Sequence, residues 1–275
     1  MEMAEKKRHH RGRRRRRKKG GIFSTIILIV AVIVFCVSAF QLFRIFKGYQ
    51  EGQSEYDYIR KLALTNEDTE EGEDGENDGE DGRLRVNFEE LLKINPDTVG
   101  WLRFYPEPAQ INYPLVQGED NSLYLNKTFS ANDNTVGAIF VNVYNQSDFN
   151  DRNTIIYGHR MKDNSMFHDL ARYEDKSFWE ANPYFYIYTP DGREIVYHIY
   201  SAGVVKDTSD TYLTEFASDE EYQEFLNMTR DVAAYDTGIM PDVGDQIVTL
   251  STCTKDSNED RFVVRGVKES EEIIE

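Results

Sequence analysis

The longest apolar pattern in the chain lies near its N-terminus. Residues 22–43 (IFSTIILIVAVIVFCVSAFQLF) carry no charge, and the apolar character continues to Phe46. About 20 apolar residues at a rise of 1.5 Å each match a hydrocarbon core of roughly 30 Å. The pattern predicts a membrane-spanning helix over residues 22–46, with a buried core helix as the alternative.

After residue 83 the pattern changes to short apolar or alternating segments, which predict β-strands. The predicted strands are residues 100–104, 111–116, 136–142, 153–157, 184–189, 193–205, 245–252 and 261–267. Asp191-Gly192 predicts the turn of a long hairpin between the fifth and sixth of these. The last two are joined by a polar loop.

Two capped helices are predicted among the strands. Asn87 is followed three residues later by Glu90, and Ser218 is followed by Glu221 at the same spacing, which is typical of a capping box at a helix start. Many short strands with few helices favour a mainly β fold that closes, wholly or partly, into a barrel. Residues 83–275 are long enough for one well-buried domain.

The charge of the first residues supports a membrane interpretation. Residues 6–19 (KKRHHRGRRRRRKK) are almost wholly basic, which taken alone would suit nucleic acid. Beside an uncharged span, however, a basic flank orients the helix with its positive end in the cytoplasm. We therefore expect the later residues to be exported. A signal peptide cleaved after Val37-Ser38-Ala39 is the alternative to a retained anchor.

A second charged tract separates the span from the predicted domain. Residues 67–82 (EDTEEGEDGENDGEDG) contain acidic residues and glycine but no lysine or arginine, so that the net charge of −17 describes neither end of the chain. Such a tract has nothing to bury and is expected to be a solvated spacer. The predicted organisation is a basic cytoplasmic tail (1–21), a transmembrane helix (22–46), a stalk with an acidic disordered linker (47–82) and a catalytic domain (83–275).

Cysteine usage points to chemistry rather than to disulfides. Cys36 lies in the predicted span, which leaves Cys253 alone in the exported part. Cys253 follows the apolar strand QIVTLST and begins a polar loop. It is therefore either a nucleophile at a sheet edge or a buried, inert small side chain.

A histidine and an arginine occupy comparable positions. His159 follows the strand NTIIY after a glycine, and Arg261 begins the strand after the Cys253 loop. A thiol, an imidazole and a donor for an oxyanion are what acyl transfer by a cysteine requires. Arg265 has the same strand parity as Arg261 but would lie about 13 Å further along. His168 and His198 are expected to be structural.

These motifs together resemble the sortase family. Residues 249–253 (TLSTC) and the RFVV that starts at Arg261 are similar to the TLxTC and downstream arginine signature of sortases, and YGH at 157–159 is similar to their histidine segment. The segment 95–101 (NPDTVGW) and the two helices are similar to class B members. The resemblance extends over residues 87–268.

The resemblance implies a sortase-like closed β-barrel with an N-terminal helix and a helix before the last two strands. It implies a transpeptidase with Cys253 as nucleophile, His159 as general acid/base and Arg261 as oxyanion or substrate clamp. By the same resemblance, the peptide-binding residues are Asn121, Leu125, Thr208, Tyr212, Leu213, Ser251 and Thr252.

The expected partners follow from that activity. They are exported proteins that carry a C-terminal sorting signal, a cell-wall or pilin amine as acceptor, and the lipid bilayer, but not nucleic acid. No cofactor or metal is expected, because the acidic residues show no recognisable ligand spacing and class B sortases generally use none. An exported cysteine peptidase and an anchored, non-enzymatic adhesion or scaffold domain remain as alternatives.

Overall fold

The computed structural model describes residues 20–64, 84–255, 257 and 259–274, with side chains from residue 23 onward. Residues 1–19 of the predicted basic tail and the predicted acidic linker after residue 64 lie outside the described residues. The chain divides into two compact units, residues 1–47 and residues 48–275.

The first described element is helix α1 (Gly20–Leu64), which contains the apolar run. Its large apolar side chains from Phe23 to Phe46 are between 52% and 73% exposed. A continuous apolar surface of this size marks a region that contacts lipid or another apolar partner. Of the described helices, α1 alone is long and apolar enough to cross a membrane, so it is a candidate membrane span.

The later residues of α1 belong to the second unit and pack against it. Tyr56, Ile59 and Ala63 are at most 2% exposed and are part of the main hydrophobic core. Their spacing of three and four residues places them on one face of the helix. Residues 48–64, which are part of the predicted stalk, are therefore helical, and one face of this helix is buried against the barrel.

Three further helices and eight strands are found in the described part of the second unit. The helices are α2 (Phe88–Ile94), α3 (Lys176–Ala181) and α4 (Asp219–Asp231). The strands are β1 (Thr98–Phe104), β2 (Asn112–Val116), β3 (Ile139–Val141), β4 (Asn153–Tyr157), β5 (Tyr184–Tyr188), β6 (Arg193–Lys206), β7 (Ile247–Cys253) and β8 (Asp260–Ile273). Short 3-10 helices cover Leu123–Leu125, His168–Glu174 and Asp210–Tyr212.

The strands form a closed barrel in the order β1-β2-β3-β4-β7-β8-β6-β5. The pairs β2–β3 and β4–β7 are parallel, and the other pairs are antiparallel. Closure gives each strand a hydrogen-bonded neighbour on both sides, which removes free sheet edges. The predicted mainly β barrel, with a helix before it and a helix before its last two strands, is confirmed.

Both predicted helix caps are confirmed. The Asn87 side chain accepts a hydrogen bond from the Glu90 N–H at 3.1 Å, and the Ser218 hydroxyl accepts one from the Glu221 N–H at 3.2 Å. Each satisfies a backbone donor that the first helical turn leaves without a partner.

Three strand boundaries differ from the prediction, two because of backbone turns and one because of strand pairing. β3 begins at Ile139 instead of residue 136, because Gly137 has a φ of +67° and turns the chain out of the sheet. β7 begins at Ile247, because the Asp245 N–H closes a turn instead of joining the ladder. β8 extends to Ile273, beyond the predicted residue 267, because β6 pairs with it along its whole length.

Strand β8 carries a charged side chain into the core. Arg265 is 0% exposed, and one of its nitrogens, Nη1, donates to the Ser201 hydroxyl at 3.5 Å. Its Nε and Nη2 have no hydrogen-bond partner among the described residues. Burial is the main cause that lowers the pKa of Arg265. Because folding lowers this pKa, the charged guanidinium opposes folding at neutral pH.

We therefore expect Arg265→Met to maintain or increase stability. Replacing a buried charge by an apolar side chain of similar volume is often neutral or stabilising, by up to about 4 kcal/mol. Guanidinium denaturation of the full-length protein in detergent measures the free energy of unfolding. Arg172→Met is the control for an exposed arginine, since Arg172 is 45% exposed and removal of its surface ion pair with Glu107 should change that free energy by at most about 1 kcal/mol. A marked loss of stability in Arg265→Met alone would contradict the expectation.

Candidate active site

The site begins with the parallel pairing of β4 and β7. The two strands are in register with Tyr157 opposite Ser251, and the Gly158 N–H continues the ladder by donating to the Ser251 carbonyl at 3.1 Å. Parallel strands end at the same edge of a sheet. His159, just after β4, and Cys253, the last residue of β7, therefore emerge at the same rim of the barrel.

The next strand brings the arginine to the same rim. β7 and β8 pair as an antiparallel hairpin with Cys253 opposite Arg261 and Thr249 opposite Arg265. The sequence predicts these two strands and the polar loop that joins them, and the structure pairs them in this register. Arg265 lies four residues deeper along β8, about 13 Å from Arg261 at 3.3 Å per residue, and it is buried.

A cavity of about 250 Å³ lies at this rim. Its lining residues are Asn121, Leu125, Phe140, Tyr157, Gly158, His159, Ser251, Thr252, Cys253 and Arg261. All three predicted catalytic residues and four of the seven predicted peptide-binding residues are among them. Larger cavities, of about 450 and 390 Å³, are lined by neither cysteine nor histidine, so size alone does not identify the site.

The other three predicted peptide-binding residues lie outside this cavity. The Tyr212 hydroxyl shares a hydrogen bond of 2.8 Å with the Ser251 hydroxyl, so Tyr212 reaches the cavity wall through its neighbour. Leu213 is 41% exposed and uses its carbonyl to accept from Asn153. Thr208 lines a separate depression near Val204.

The imidazole of His159 is held by backbone. Its Nε2 lies 2.6 Å from the Leu125 carbonyl oxygen. A carbonyl oxygen only accepts, so the hydrogen bond requires the proton on Nε2 and leaves Nδ1 as the nitrogen that exchanges a proton. The ring also abuts Gly137, where an added Cβ would lie 2.8 Å from its Cδ2 atom. The Leu125 carbonyl and Gly137 together define the position and tautomer of the ring.

The guanidinium of Arg261 is held by one oxygen atom from β8 and one from the loop that follows β6. Its Nη1 donates to the Asp260 carbonyl at 3.0 Å, and its Nη2 lies 3.4 Å from a carboxylate oxygen of Asp207. The Asp207 N–H donates to the Glu259 carbonyl at 2.8 Å, which ties its loop to the loop before β8. The Arg261 side chain is 24% exposed, so the charge remains partly solvated at the cavity rim.

Asp207 is not among the residues that the sequence pattern identifies. It follows β6, far from the cysteine loop in sequence, and it reaches Arg261 because Val205 of β6 pairs opposite Arg261. Identifying Asp207 from the sequence would require knowing that β6 pairs with β8 in this register. The local residue pattern of a single sequence does not show which distant strands pair.

The other two described histidines of this unit pack as structural residues. His168 forms a hydrogen bond of 2.5 Å through Nδ1 to the Met161 carbonyl. His198 packs against Tyr184 with ring centroids 4.5 Å apart and ring planes tilted by 33°, and burial lowers its pKa more than the nearby Glu269 raises it. Neither lines the cavity that contains Cys253. In the described part of the chain, no group of three or more His, Cys, Asp or Glu residues is arranged to hold a metal ion.

Comparisons with known proteins agree with this geometry. The Sortase domain family model matches residues 107–269, a range that includes His159, Cys253 and Arg261. Sortase B of Listeria monocytogenes serovar 1/2a is 36% identical over 189 residues, which cover 67% of this chain and 75% of the relative.

Solved structures show the same barrel. Sortase B from B. anthracis matches with a TM-score of 0.68 at 33% identity, covering 82% of this chain and 99% of that chain. The Staphylococcus aureus sortase B–substrate complex matches with a TM-score of 0.62 at 34% identity, covering 66% of this chain and 84% of that chain. The family model, the sequence relatives and the shared barrel agree, and this chain belongs to the sortase family of cysteine transpeptidases, in class B.

Proposed function

We propose that this enzyme cleaves a sorting motif near the C-terminus of exported proteins through a thioester on Cys253. It then transfers the acyl group to an amine of the cell wall or of a pilus subunit. The observation that carries the proposal is the meeting of Cys253, His159 and Arg261 in one cavity. Structures of S. aureus sortase B with substrate and of a sortase B with triglycine, both 34% identical to this chain, support a peptide substrate and an amine acceptor.

In the first half-reaction the thiol of Cys253 passes its proton to the Nδ1 atom of His159. The resulting thiolate forms a carbon–sulfur bond with the scissile carbonyl. The guanidinium of Arg261 donates hydrogen bonds to the oxygen that becomes negative. As the carbon–nitrogen bond breaks, the imidazolium returns the Nδ1 proton to the leaving amine, and a thioester remains.

In the second half-reaction an acceptor amine attacks the thioester carbonyl. The amine gives up a proton to Nδ1 of His159, a new amide bond forms, and the sulfur leaves and recovers the proton. The thioester retains the acyl group in activated form, so that an amine can replace water as the acceptor.

The cavity walls suit an extended peptide. Asn121 accepts from the Val143 N–H at 2.9 Å and donates to the Asn142 side chain at 3.0 Å, so half of its amide capacity remains for a ligand. Leu125 supplies an apolar surface that is 37% exposed. We assign Ser251 and Thr252 to the same subsite, with Tyr212 behind Ser251. Thr208 and Leu213 would contact only a peptide that extends beyond the cavity.

Product analysis distinguishes transpeptidation from hydrolysis and from a non-enzymatic domain. We expect the full-length enzyme in detergent, given a library of peptides and a panel of amines, to produce a peptide ligated to the amine. Mass spectrometry should find the acyl intermediate on Cys253, and Cys253→Ala should abolish both adduct and product because the sulfur is the nucleophile.

Three results would contradict the proposal. Exclusive release of free acid in the presence of every amine would indicate a peptidase. An acyl adduct on a different residue would displace Cys253. No effect of Cys253 alkylation on any measured activity would support an adhesion or scaffold domain.

Kinetics of arginine variants test the oxyanion assignment. We expect Arg261→Ala to reduce kcat/KM by about 100- to 1000-fold, because removing one such donor costs roughly 3 to 4 kcal/mol. Arg261→Lys should also be slow, since an ammonium keeps the charge but lacks the planar fork. Arg265→Met is the matched control and should retain activity. A severe loss of activity confined to Arg265→Met would mean that Arg265, and not Arg261, is the oxyanion donor.

We also propose that the basic tail is cytoplasmic, that α1 anchors the chain by one span, and that residues 83–275 are the exported catalytic domain. Treating intact cells with a membrane-impermeant maleimide tests this topology. Cys253, which is exposed, should be labelled in intact cells. Gly12→Cys, made with Cys36→Ala and Cys253→Ala so that it is the one cysteine in the chain, should be labelled only after lysis. Labelling at position 12 in intact cells, or release of a soluble protein that begins near Phe40, would contradict the anchor.

A further inference from the structure

Helix α1 forms hydrogen bonds to one side of a loop whose other side contacts the catalytic imidazole. The Tyr56 side chain is 2% exposed, and its hydroxyl donates to the Gly137 carbonyl at 2.7 Å. The Tyr56 hydroxyl oxygen also accepts a hydrogen bond from the Phe129 N–H at 3.2 Å. One buried hydroxyl therefore joins two points of the loop 124–137 that are distant along the chain.

Neighbouring residues of α1 strengthen this attachment. The Glu55 carboxylate accepts from the Ser130 N–H at 3.0 Å and from the Asn132 side chain at 3.2 Å. One turn earlier in the helix, Gly52 lies so close to the loop that an added Cβ would be 2.9 Å from the Val136 side chain. One further turn earlier, the Gly48 carbonyl accepts a hydrogen bond from the Asn134 side chain. The loop is held by successive turns of the helix and not by a single contact.

The other face of this loop holds His159. Gly137 has a φ of +67°, and a Cβ there would lie 2.8 Å from the imidazole Cδ2 and 3.0 Å from the Leu125 carbonyl oxygen. That same carbonyl accepts the hydrogen bond from Nε2 of His159 at 2.6 Å. The Ala138 N–H donates to the Tyr124 carbonyl at 2.9 Å and closes the loop on itself. The imidazole is therefore oriented by backbone atoms whose own positions depend on Tyr56.

We propose that Tyr56 is a positioning residue for catalysis: its hydroxyl holds Gly137, and the loop 124–137 in turn holds His159 in its Nε2–H tautomer. The proposal rests on the proposed role of His159 as general acid/base. Removing the hydroxyl leaves the Gly137 carbonyl and the Phe129 N–H buried without that partner, which favours movement of the loop. A small displacement of a catalytic group is enough to slow a reaction strongly.

The test compares Tyr56→Phe with Tyr173→Phe in the full-length protein in detergent. Tyr173 is also buried, at 0% exposed, and its hydroxyl also donates to a backbone carbonyl, that of Asn182, at 2.8 Å. Both variants lose a hydrogen bond to a backbone carbonyl, and Tyr56→Phe also loses the one accepted from the Phe129 N–H. Of the two tyrosines, only Tyr56 contacts the loop that holds His159. Thermal unfolding of both variants measures the general structural effect.

We expect Tyr56→Phe to lower kcat by roughly 10- to 100-fold with KM changed by less than about twofold, whereas Tyr173→Phe retains kcat. Nitrogen NMR of the His159 ring is a second readout that needs no turnover. It should show the Nε2–H tautomer in the wild type and in Tyr173→Phe, and a mixture of tautomers in Tyr56→Phe. If Tyr56→Phe fails to fold, Glu55→Ala should show the same direction of change, because Glu55 is only half-buried and holds the same loop.

Equal kcat and an unchanged ring tautomer in Tyr56→Phe would overturn the proposal and reduce Tyr56 to a core tyrosine. Failure of the proposed function would give a different result, because the wild type itself would then form no acyl adduct on Cys253. The NMR comparison would in that case still test whether Tyr56 determines the tautomer of the His159 ring.

Discussion

The arrangement of the active site depends on the parallel pairing between β4 and β7. These strands come from distant parts of the sequence, and their register places Tyr157 opposite Ser251. A shift of one residue would turn every side chain of one strand to the other face of the sheet. Because the barrel closes around these strands and buries residues 153–156 and 247–252, the register is strongly specified, and the residues that follow the two strands meet at one rim.

Charged side chains position Arg261 on one side of the rim, and backbone groups position His159 on the other. On the β6–β8 side, the Lys206 ammonium lies 2.7 Å from an Asp260 carboxylate oxygen, and Asp207 faces Arg261. These charges are partly exposed, so each pair contributes little to stability, but their geometry directs the guanidinium toward the cavity. On the other side, carbonyl groups and a glycine orient His159 without any charged partner at its Nε2.

Strand β8 shows how one element serves two environments. Its first residues, around Arg261, lie at the solvent-exposed rim, whereas Arg265 is enclosed in the core next to Ser201. Both side chains point to the same face of the sheet, as strand parity requires. Depth along the barrel, and not orientation, separates an arginine available to a substrate from one that is buried.

The local features were determined by the sequence itself. The apolar run, the caps at Asn87 and Ser218, and the hairpin that brings Arg261 opposite Cys253 all depend on contacts between residues close in the chain, so their patterns are readable directly. The motif around Cys253 identified the family by resemblance, and residues named from that resemblance, such as Asn121 and Leu125, line the same cavity as Cys253.

Only the tertiary structure decided which distant segments are neighbours. The parallel β4–β7 register, the Asp207–Arg261 contact and the attachment of Tyr56 to the loop at Gly137 each join segments separated by long stretches of chain. It also placed Thr208 away from the cavity, although the sequence resemblance grouped it with Tyr212. The physical reason is that pairing of distant strands is selected by closure and burial of the whole barrel, a global condition that no local pattern of side chains encodes.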